Sequence, residues 1–161
     1  MDNYIDMIVE IPFSTNIKYE YDEKLKLLRC DRLLSTSMIY PGNYGFIPNT
    51  MGGDNDPIDI LLVSNIKLTP GCVVNVKIIG LLETEDEKGK DEKIIAVFSE
   101  KIDKKTKLIN DISDLPKTTL ENIKHFFTHY KDNESDKWIK VNSFKNLDDT
   151  LQIIEKYKIN S

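Results

Sequence analysis

Residues 73–98 read VVNVKIIGLLETEDEKGKDEKIIAVF, in which two apolar runs enclose a charged loop. The first run, residues 73–82, is long enough for a strand that bends. Gly80 marks the expected bend, because glycine has no side chain to pack. The second run, residues 94–98, is predicted to pair with the first as a β-hairpin. The charged stretch between them is typical of a solvated hairpin end.

The sequence on either side of this hairpin predicts further short strands and then two helices. Apolar or alternating runs occur at residues 7–11, 17–21, 25–30 and 58–63. Residues 116–130 have helical periodicity, residues 138–144 read as a strand, and Asn146 can cap a last helix. Many short strands followed by two helices are typical of a mainly β, α+β domain with helices packed outside a compact β-barrel. We expect one domain spanning residues 1–161.

The composition narrows the class of function. The chain has 161 residues, of which 40% are hydrophobic and 30% are charged, as in an ordinary globular protein. Its formal net charge of −5 argues against a nucleic-acid-binding surface, which needs a basic face. A small anion is not excluded, because local Lys and Arg side chains can dominate inside a cleft.

The two cysteines, Cys30 and Cys72, lie in apolar, strand-like segments, and we expect them to be buried free thiols. Two cysteines give no disulfide framework, which favours a reducing compartment. The N-terminus lacks the basic and apolar regions of a signal peptide. The longest apolar run is too short to span a bilayer, so we expect a cytoplasmic protein without a membrane partner.

Three aspartates are crowded into residues 54–59, which read DNDPID. Neighbouring carboxylates repel one another, so a hard divalent cation such as Mg²⁺ or Mn²⁺ is the expected partner. In an extended segment Asp54 and Asp56 would share a face, and a bend at Pro57 would bring Asp59 back towards them. The alternative is a solvated acidic turn, since Gly, Asp, Asn and Pro are turn residues. An EF-hand loop is excluded, because other residue types stand at its required Gly and Glu positions.

Two other groups of charged residues have both a structural and a functional interpretation. Lys18 and Glu20 are two apart on a predicted strand and share a face, as they would in an exposed ion pair of small energetic value. Asp86 and Asp91 flank the charged turn, with Lys93 beside them. If that turn reaches back towards the crowded aspartates, its carboxylates would join the same site.

Two pairs of aromatic or imidazole side chains are candidates for binding or contact roles. Tyr40 and Tyr44 lie in a segment rich in Gly and Pro, where we expect a loop of fixed conformation. They either pack beneath that loop or line a binding site. His125 and His129 are four residues apart and share a helix face. Phe126 stands where HExxH zinc helices carry glutamate, so helix packing or a subunit contact is predicted instead of a metal site.

Together these segments resemble the family I inorganic pyrophosphatases, the soluble, bacterial-type enzymes, from Val9 to about Val141. The family motif Asp-x-Asp-Pro-x-Asp is present at residues 54–59 and is highly specific in this context. The other matching segments follow in the family's order: Glu10-Ile11-Pro12, Lys18-Tyr19-Glu20, Asp31-Arg32, Tyr40-Pro41-x-Asn43-Tyr44-Gly45, Asp86 with Asp91-x-Lys93, and His125-Phe126-Phe127-x-His129-Tyr130-Lys131. The resemblance implies an OB-like five-stranded β-barrel with flanking helices.

The resemblance also implies a role for each matching polar residue. The carboxylates that match metal ligands are Asp54, Asp59 (bridging two metals), Asp91, Asp86 (for a metal carried in with substrate) and Glu10 (through water). Asp56 matches the group that orients and deprotonates the attacking water. The residues that match phosphate ligands are Lys18, Arg32, Tyr44, Lys93, Tyr130 and Lys131. Glu20 and Tyr40 match residues that support the cavity from behind.

An enzyme of this family would hydrolyse pyrophosphate to two phosphates and so drive biosynthetic reactions forward. The resemblance implies several Mg²⁺ ions per active site, with Mn²⁺ or Zn²⁺ able to substitute. It also implies a homohexamer with His125 and His129 near subunit contacts. The chain begins later than typical members, which we expect to alter packing at one barrel edge or interface.

Three other functions compete with this prediction. An oligonucleotide-binding barrel would need a basic groove with exposed aromatic side chains, and the net charge has the opposite sign. A catalytically inactive descendant would have lost some matched catalytic residues, whereas every matched position here carries the expected type. A phosphatase of broader substrate range stays open.

Overall fold

The computed structural model describes residues 2–159. Within that range the chain forms nine β-strands and two α-helices. In chain order they are β1 (Tyr4–Ile11), β2 (Ile17–Asp22), β3 (Leu27–Leu33), β4 (Asn43–Phe46), β5 (Asp59–Leu62), β6 (Val73–Asp86), β7 (Gly89–Lys90), β8 (Lys93–Phe98), α1 (Lys117–His129), β9 (Ile139–Lys145) and α2 (Leu147–Tyr157). No helix in this range is long and apolar enough to cross a membrane.

Five of the strands close into a ring. β1 pairs with β4, β4 with β5, β5 with β8 and β8 with β6, and β6 returns to β1. Only the pairing of β5 with β8 is parallel among these five. Closure leaves no open sheet edge within the ring. With α1 and α2 beside it, the ring confirms the predicted mainly β, α+β fold with an OB-like five-stranded barrel.

The longest strand, β6, organises the barrel. Its register against β8 shifts between Ile78 and Gly80, which confirms both the predicted hairpin and the predicted bend. A side chain at residue 80 would lie 2.6 Å from the carbonyl oxygen of Lys145, so glycine allows β9 to approach β6. The strand continues beyond its predicted end to Asp86, because alternate residues there remain buried and paired.

The apolar runs of the barrel strands are buried on both faces. Side chains on one face, such as Ile60 and Leu62, fill the barrel together with Ile154 of α2. Side chains on the other face, such as Leu61, pack beneath α1, to whose apolar face Phe126 belongs. Burial on both faces explains why these strands read as continuous apolar runs.

The prediction of a loop around Tyr40 and Tyr44 is wrong for residues 43–46, which form β4. A Cβ atom at Gly45 would overlap the carbonyl oxygen of Ile8 in β1, so glycine is needed for the two strands to pair. The same glycine removes the apolar alternation by which a strand is recognised in sequence.

The remaining predicted elements are present with shifted ends. β2 and β3 form a separate two-stranded sheet beside the barrel. Asn146 caps α2 as predicted, since its Oδ1 accepts a hydrogen bond from the backbone N–H of Asp149 at 2.9 Å. The prediction of two buried thiols is wrong: Cys30 is exposed on β3 and Cys72 is partly exposed.

Candidate active site

A cavity of about 660 Å³ lies between the barrel, the β2–β3 hairpin and the loops at the end of α1. Every site residue predicted from the sequence lines it: Glu10, Lys18, Glu20, Arg32, Tyr40, Tyr44, Asp54, Asp56, Asp59, Asp86, Asp91, Lys93, Tyr130 and Lys131. The fold thus brings together groups that are far apart in the chain. A concave site with convergent charged groups is a candidate for ligand binding and catalysis.

Lys93 is the buried centre of this cavity. Its ammonium nitrogen lies 2.8 Å from Asp59 Oδ2 and 2.6 Å from Asp91 Oδ2, and it donates to the Tyr44 hydroxyl at 2.7 Å. The parallel pairing of β5 with β8 makes Asp59 and Lys93 register partners. One ammonium and two carboxylates therefore share a largely buried site.

Burial and the neighbouring opposite charges have opposite effects on the pKa values of Lys93 and Asp91. Burial disfavours the Lys93 ammonium, but Asp59 and Asp91 outweigh it and raise the pKa of Lys93 well above its usual value. Burial raises the pKa of Asp91 to about 6, with Lys93 opposing the increase and Asp59 adding to it. Lys93 therefore stays protonated at neutral pH, and the two carboxylates leave the group with excess negative charge.

The acidic segment is a turn, so the prediction that Asp54 and Asp56 share a face of an extended segment is wrong. Asn55 has a φ of 66°, a left-handed conformation that asparagine adopts more readily than most residues. The backbone N–H of Asp56 donates to Asp54 Oδ1 at 3.1 Å, and its carbonyl accepts from the N–H of Gly52 at 2.8 Å. The turn nevertheless presents Asp54 and Asp56 to the cavity, together with Asp59 at the start of β5.

Asp54 and Asp56 differ in their surroundings. Burial raises the pKa of Asp54, and the carboxylates of Asp91 and Asp56 add to the increase. The side chain of Asp56 is 57% exposed, and its Oδ2 lies 3.9 Å from Lys88 Nζ. A carboxylate that faces the cavity with so distant a cation is well placed to accept a proton from water.

The cationic side of the cavity is neutralised by carboxylates of the same chain. Lys18 Nζ lies 3.2 Å from Asp31 Oδ2, and Arg32 Nε lies 2.9 Å from the same oxygen. Arg32 also donates from Nη1 to both carboxylate oxygens of Glu134, at 3.0 and 2.9 Å. Lys18 thus pairs with Asp31 and not with Glu20, which is exposed. An anionic ligand would replace these carboxylates with its own oxygens.

The end of α1 supplies Tyr130 and Lys131. Lys131 Nζ lies 3.4 Å from the buried Asp86 Oδ2. The ring of Tyr130 packs 6.5 Å from the ring of Tyr40, which in turn lies 4.6 Å from the ring of Phe126. Burial raises the pKa of Tyr40 well above its usual value, so its hydroxyl stays neutral. These packed rings fix the wall of the cavity that carries Lys131.

Sequence reasoning misses several charged residues that line the cavity, among them Glu134 and Lys137. Burial lowers the pKa of Lys137, and the positive charges of Arg32 and Lys18 lower it further. These charge effects show that Lys137 lies close to Lys18 and Arg32, on the cationic side of the cavity. A single charged residue in a polar loop has no periodic pattern, so nothing in the sequence distinguishes it from a solvated side chain.

His125 and His129 lie outside the cavity lining. Their ring centroids are 4.7 Å apart, and His129 Nδ1 lies 2.7 Å from Asp132 Oδ2. His125 is exposed and His129 is partly exposed. The predicted subunit-contact role of this face of α1 stays a prediction.

Glu10 is a buried carboxyl near the end of β1. Its Oε2 accepts a hydrogen bond from the backbone N–H of Tyr21 at 2.8 Å. Burial raises the pKa of Glu10 to about 7; the hydrogen bond from Tyr21 opposes this increase, and the carboxylate of Asp59 adds to it. In the metal-free protein, Glu10 is therefore only partly ionised at neutral pH.

The metal-free protein should lose stability as the pH rises from about 4.5 to about 7. The folded state keeps the Glu10 proton until the pH approaches 7, whereas the unfolded chain releases it at the lower end, so folding takes up a proton. The free energy of unfolding should fall by up to about 3 kcal/mol from this group, at ~1.36 kcal/mol per pKa unit. Urea unfolding in EDTA across this pH range measures the effect. Glu10→Gln should make the decline shallower by this amount, while Asp91, whose pKa burial also raises, still contributes. An equally steep decline in that variant would contradict the assignment.

The carboxylates Asp54, Asp59 and Asp91 supply oxygen donors of the kind that hard divalent cations bind. Within residues 2–159 no three His, Cys, Asp or Glu side chains are arranged to hold a metal ion together. Asp59 and Asp91 are instead turned towards the Lys93 ammonium. Mg²⁺ keeps several waters and uses few carboxylates, so a complete protein cage is not required. The donor chemistry and the raised pKa values of Asp54 and Asp91 therefore fit a divalent cation.

Comparison with known proteins gives the family. The family model for inorganic pyrophosphatase matches residues 7–160. The inorganic pyrophosphatase of Saccharolobus solfataricus is 45% identical over 152 residues, which cover 94% of this chain and 88% of the relative. The structure of the Helicobacter pylori inorganic pyrophosphatase matches with a TM-score of 0.93 at 44% identity, covering 96% of this chain and 91% of that one. The Thermus thermophilus inorganic pyrophosphatase matches with a TM-score of 0.91 at 41% identity, covering 95% and 88%. The chain therefore belongs to the inorganic pyrophosphatase family, whose members need a divalent metal.

Proposed function

We propose that the protein is a Mg²⁺-dependent inorganic pyrophosphatase that catalyses P₂O₇⁴⁻ + H₂O → 2 HPO₄²⁻. One observation carries the proposal: a single cavity holds an anionic side centred on Asp59 and Asp91 and a cationic side formed by Lys18, Arg32 and Lys131. The crowded carboxylates are suited to binding metal cations, and the Lys and Arg side chains are suited to binding a highly charged anion. A metal complex of pyrophosphate supplies both, and membership of the family supports this substrate.

Five carboxylates would hold the ions: Asp54, Asp59, Asp91, Asp86 and Glu10. Asp59 would be shared between two ions, Asp86 would reach an ion that enters with substrate, and Glu10 would act through water. When bound, the ions neutralise charge on the substrate and lower the pKa of water. We propose several Mg²⁺ ions per active site, for which Mn²⁺ or Zn²⁺ would substitute.

Asp56 is the proposed general base. Its exposed carboxylate accepts a proton from the attacking water as the water oxygen forms a bond to one phosphorus. The bond from that phosphorus to the bridging oxygen then breaks, and the leaving phosphate takes the electron pair. Asp56 is suited to this step because it is more exposed than Asp59 and Asp91, which are held by Lys93.

Cationic and hydroxyl side chains are proposed to hold the two phosphates: Lys18, Arg32, Tyr44, Lys93, Tyr130, Lys131 and, in addition, Lys137. Before substrate arrives, Asp31 and Glu134 keep Lys18 and Arg32 in position. Phosphate oxygens would then replace these carboxylates at little cost in side-chain ordering. Glu20 and Tyr40, which also line the cavity, are proposed to support its wall.

We further propose that the enzyme acts in the cytoplasm as a homohexamer, with His125 and His129 near a subunit contact. The exposed apolar side chains of Leu27 and Leu33 on the β2–β3 hairpin support a surface that other subunits cover. Size-exclusion chromatography with light scattering gives the particle mass. A monomer at assay concentration would contradict the assembly but not the activity.

Phosphate release from pyrophosphate by the purified protein tests the activity. We expect rapid release with Mg²⁺, loss of release in EDTA and recovery when Mg²⁺ is added in excess. ATP and p-nitrophenyl phosphate, assayed in parallel, measure how far the site accepts other phosphoanhydrides or monoesters. If neither Mg²⁺ nor Mn²⁺ supports release above the buffer rate, the proposed function is wrong.

A further inference from the structure

Residues 157–159, which we call the C-terminal strap, leave the end of α2 and cross the chain that leads into the acidic turn. The carbonyl of Tyr157 accepts from the N–H of Met51 at 2.9 Å, and the N–H of Ile159 donates to the carbonyl of Asn49 at 3.1 Å. Thr50 and Lys158 lie opposite one another as an antiparallel bridge between these bonds. The strap therefore holds the base of the acidic turn through the main chain.

The side chain of Tyr157 reaches further, to both loops that carry the crowded carboxylates. Its hydroxyl oxygen lies 3.7 Å from where a Cβ of Gly53 would be, directly beside Asp54. The same hydroxyl donates to Glu92 Oε1 at 3.4 Å, next to Asp91 in the other loop. Burial, followed by the Glu92 carboxylate, raises the pKa of the Tyr157 hydroxyl, so it remains a donor at neutral pH.

The two loops are also in direct contact at this point. A Cβ at Gly53 would lie 3.3 Å from the carbonyl oxygen of Lys90, so the turn passes close to β7. Thr50, which is buried, accepts from the N–H of Ile58 at 3.0 Å and donates to the carbonyl of Ile47 at 2.6 Å. The base of the turn is thus fixed by Thr50 and the strap, and its outer part rests against Tyr157.

We infer that Tyr157 is a positioning residue that sets the separation between the acidic turn and the loop of Asp91, and thereby the affinity of the site for divalent cations. The inference rests on the proposed function, because it assigns these carboxylates to metal binding. Tyr157 does not itself line the cavity, although its carbonyl holds Met51, which does. Its hydroxyl contacts no group proposed to bind substrate, so the side chain acts through the two loops.

Mn²⁺ binding to the full-length chain without substrate, measured by electron paramagnetic resonance, tests this inference. Tyr157→Phe removes the hydroxyl and keeps the ring, and we expect Mn²⁺ binding about threefold weaker, as for one lost hydrogen bond. Tyr157→Ala also removes the ring, and we expect binding weaker by about tenfold or more. With saturating Mg²⁺, the kcat of Tyr157→Phe should stay within about twofold of the wild type, because the reacting groups are unchanged.

Tyr4→Phe is the matched control, because the hydroxyl of Tyr4 donates to Glu100 Oε2 at 2.6 Å, in a pair that does not line the cavity. It should leave Mn²⁺ affinity unchanged. Equal Mn²⁺ affinity in Tyr157→Phe and Tyr4→Phe would overturn the inference, even if the Tyr157 variant melted at a lower temperature, since the strap would then only stabilise the fold. If Tyr157→Ala does not fold, the comparison of the two Phe variants decides.

Results that refute the proposed function differ from results that refute the role of Tyr157. A wild-type chain that binds Mn²⁺ but releases no phosphate from pyrophosphate would refute the activity and leave the Tyr157 comparison intact. A wild-type chain that binds no Mn²⁺ would refute both.

Discussion

Replacing Asp56 with asparagine should lower kcat for pyrophosphate by about 10²–10⁴-fold while the protein still folds and binds metal. The amide has nearly the same shape as the carboxylate but cannot take a proton from water. The exposed Asp56 carboxylate does not pair with Lys93, whose partners are Asp59 and Asp91. The free energy of unfolding should therefore change little. The pH dependence of kcat should also change, because the nucleophile would then depend on metal activation alone.

Steady-state phosphate release measures the expected loss of kcat, and Mn²⁺ titration of the same preparation measures whether metal binding is retained. Glu121→Gln is a suitable control, since it removes an exposed carboxylate on α1 that does not line the cavity. Its kcat should match the wild type. A value of kcat for Asp56→Asn within about tenfold of the wild type would exclude Asp56 as the general base.

Replacing Lys93 with methionine should have the largest combined effect on stability and activity. Met fills a similar volume but leaves Asp59 and Asp91 buried without their ammonium partner, a change that costs about 3–5 kcal/mol for buried ion pairs. Mg²⁺ should restore more stability to this variant than to the wild type, because the cation takes over the charge of the lost ammonium. The KM for pyrophosphate should rise, since a proposed phosphate ligand is missing.

Lys77→Met is the matched control for this effect. Lys77 is as buried as Lys93, with 1% of its side chain exposed, and its ammonium lies 2.8 Å from Glu100 Oε1, in a pair that does not line the cavity. Both variants should unfold at lower urea concentration in EDTA. Only Lys93→Met should regain stability with Mg²⁺ and lose affinity for substrate. Equal responses of the two variants to Mg²⁺ would show that Lys93 does not share its site with a cation.

Much of the fold follows from the sequence because the barrel strands are apolar on both faces. The hairpin of β6 with β8, the bend at Gly80 and the cap at Asn146 each depend on local chemistry that the sequence displays. β4 is different. Its residues pair with β1 because Gly45 allows a close approach to Ile8, and the need for that glycine is visible only when both strands are in place.

The membership of the site could be predicted, but its internal geometry could not. The motif of residues 54–59 identifies the acidic group, yet the turn conformation follows from the left-handed Asn55 and from hydrogen bonds within the turn. The ion pair between Arg32 and Glu134 joins residues 102 positions apart. No local pattern encodes such a contact, because it depends on how the hairpin and the loop after α1 meet.

The parallel pairing of β5 with β8 also has a consequence for how the protein matures. Asp59 meets Lys93 only when β5 docks beside β8, which is synthesised later, after β6, the strand that separates the two in sequence. Contacts of such long sequence separation form late during folding. A ribosome-bound or truncated chain that ends before β8 therefore lacks Lys93 and cannot assemble its group with Asp59 and Asp91, so catalytic competence cannot precede ring closure.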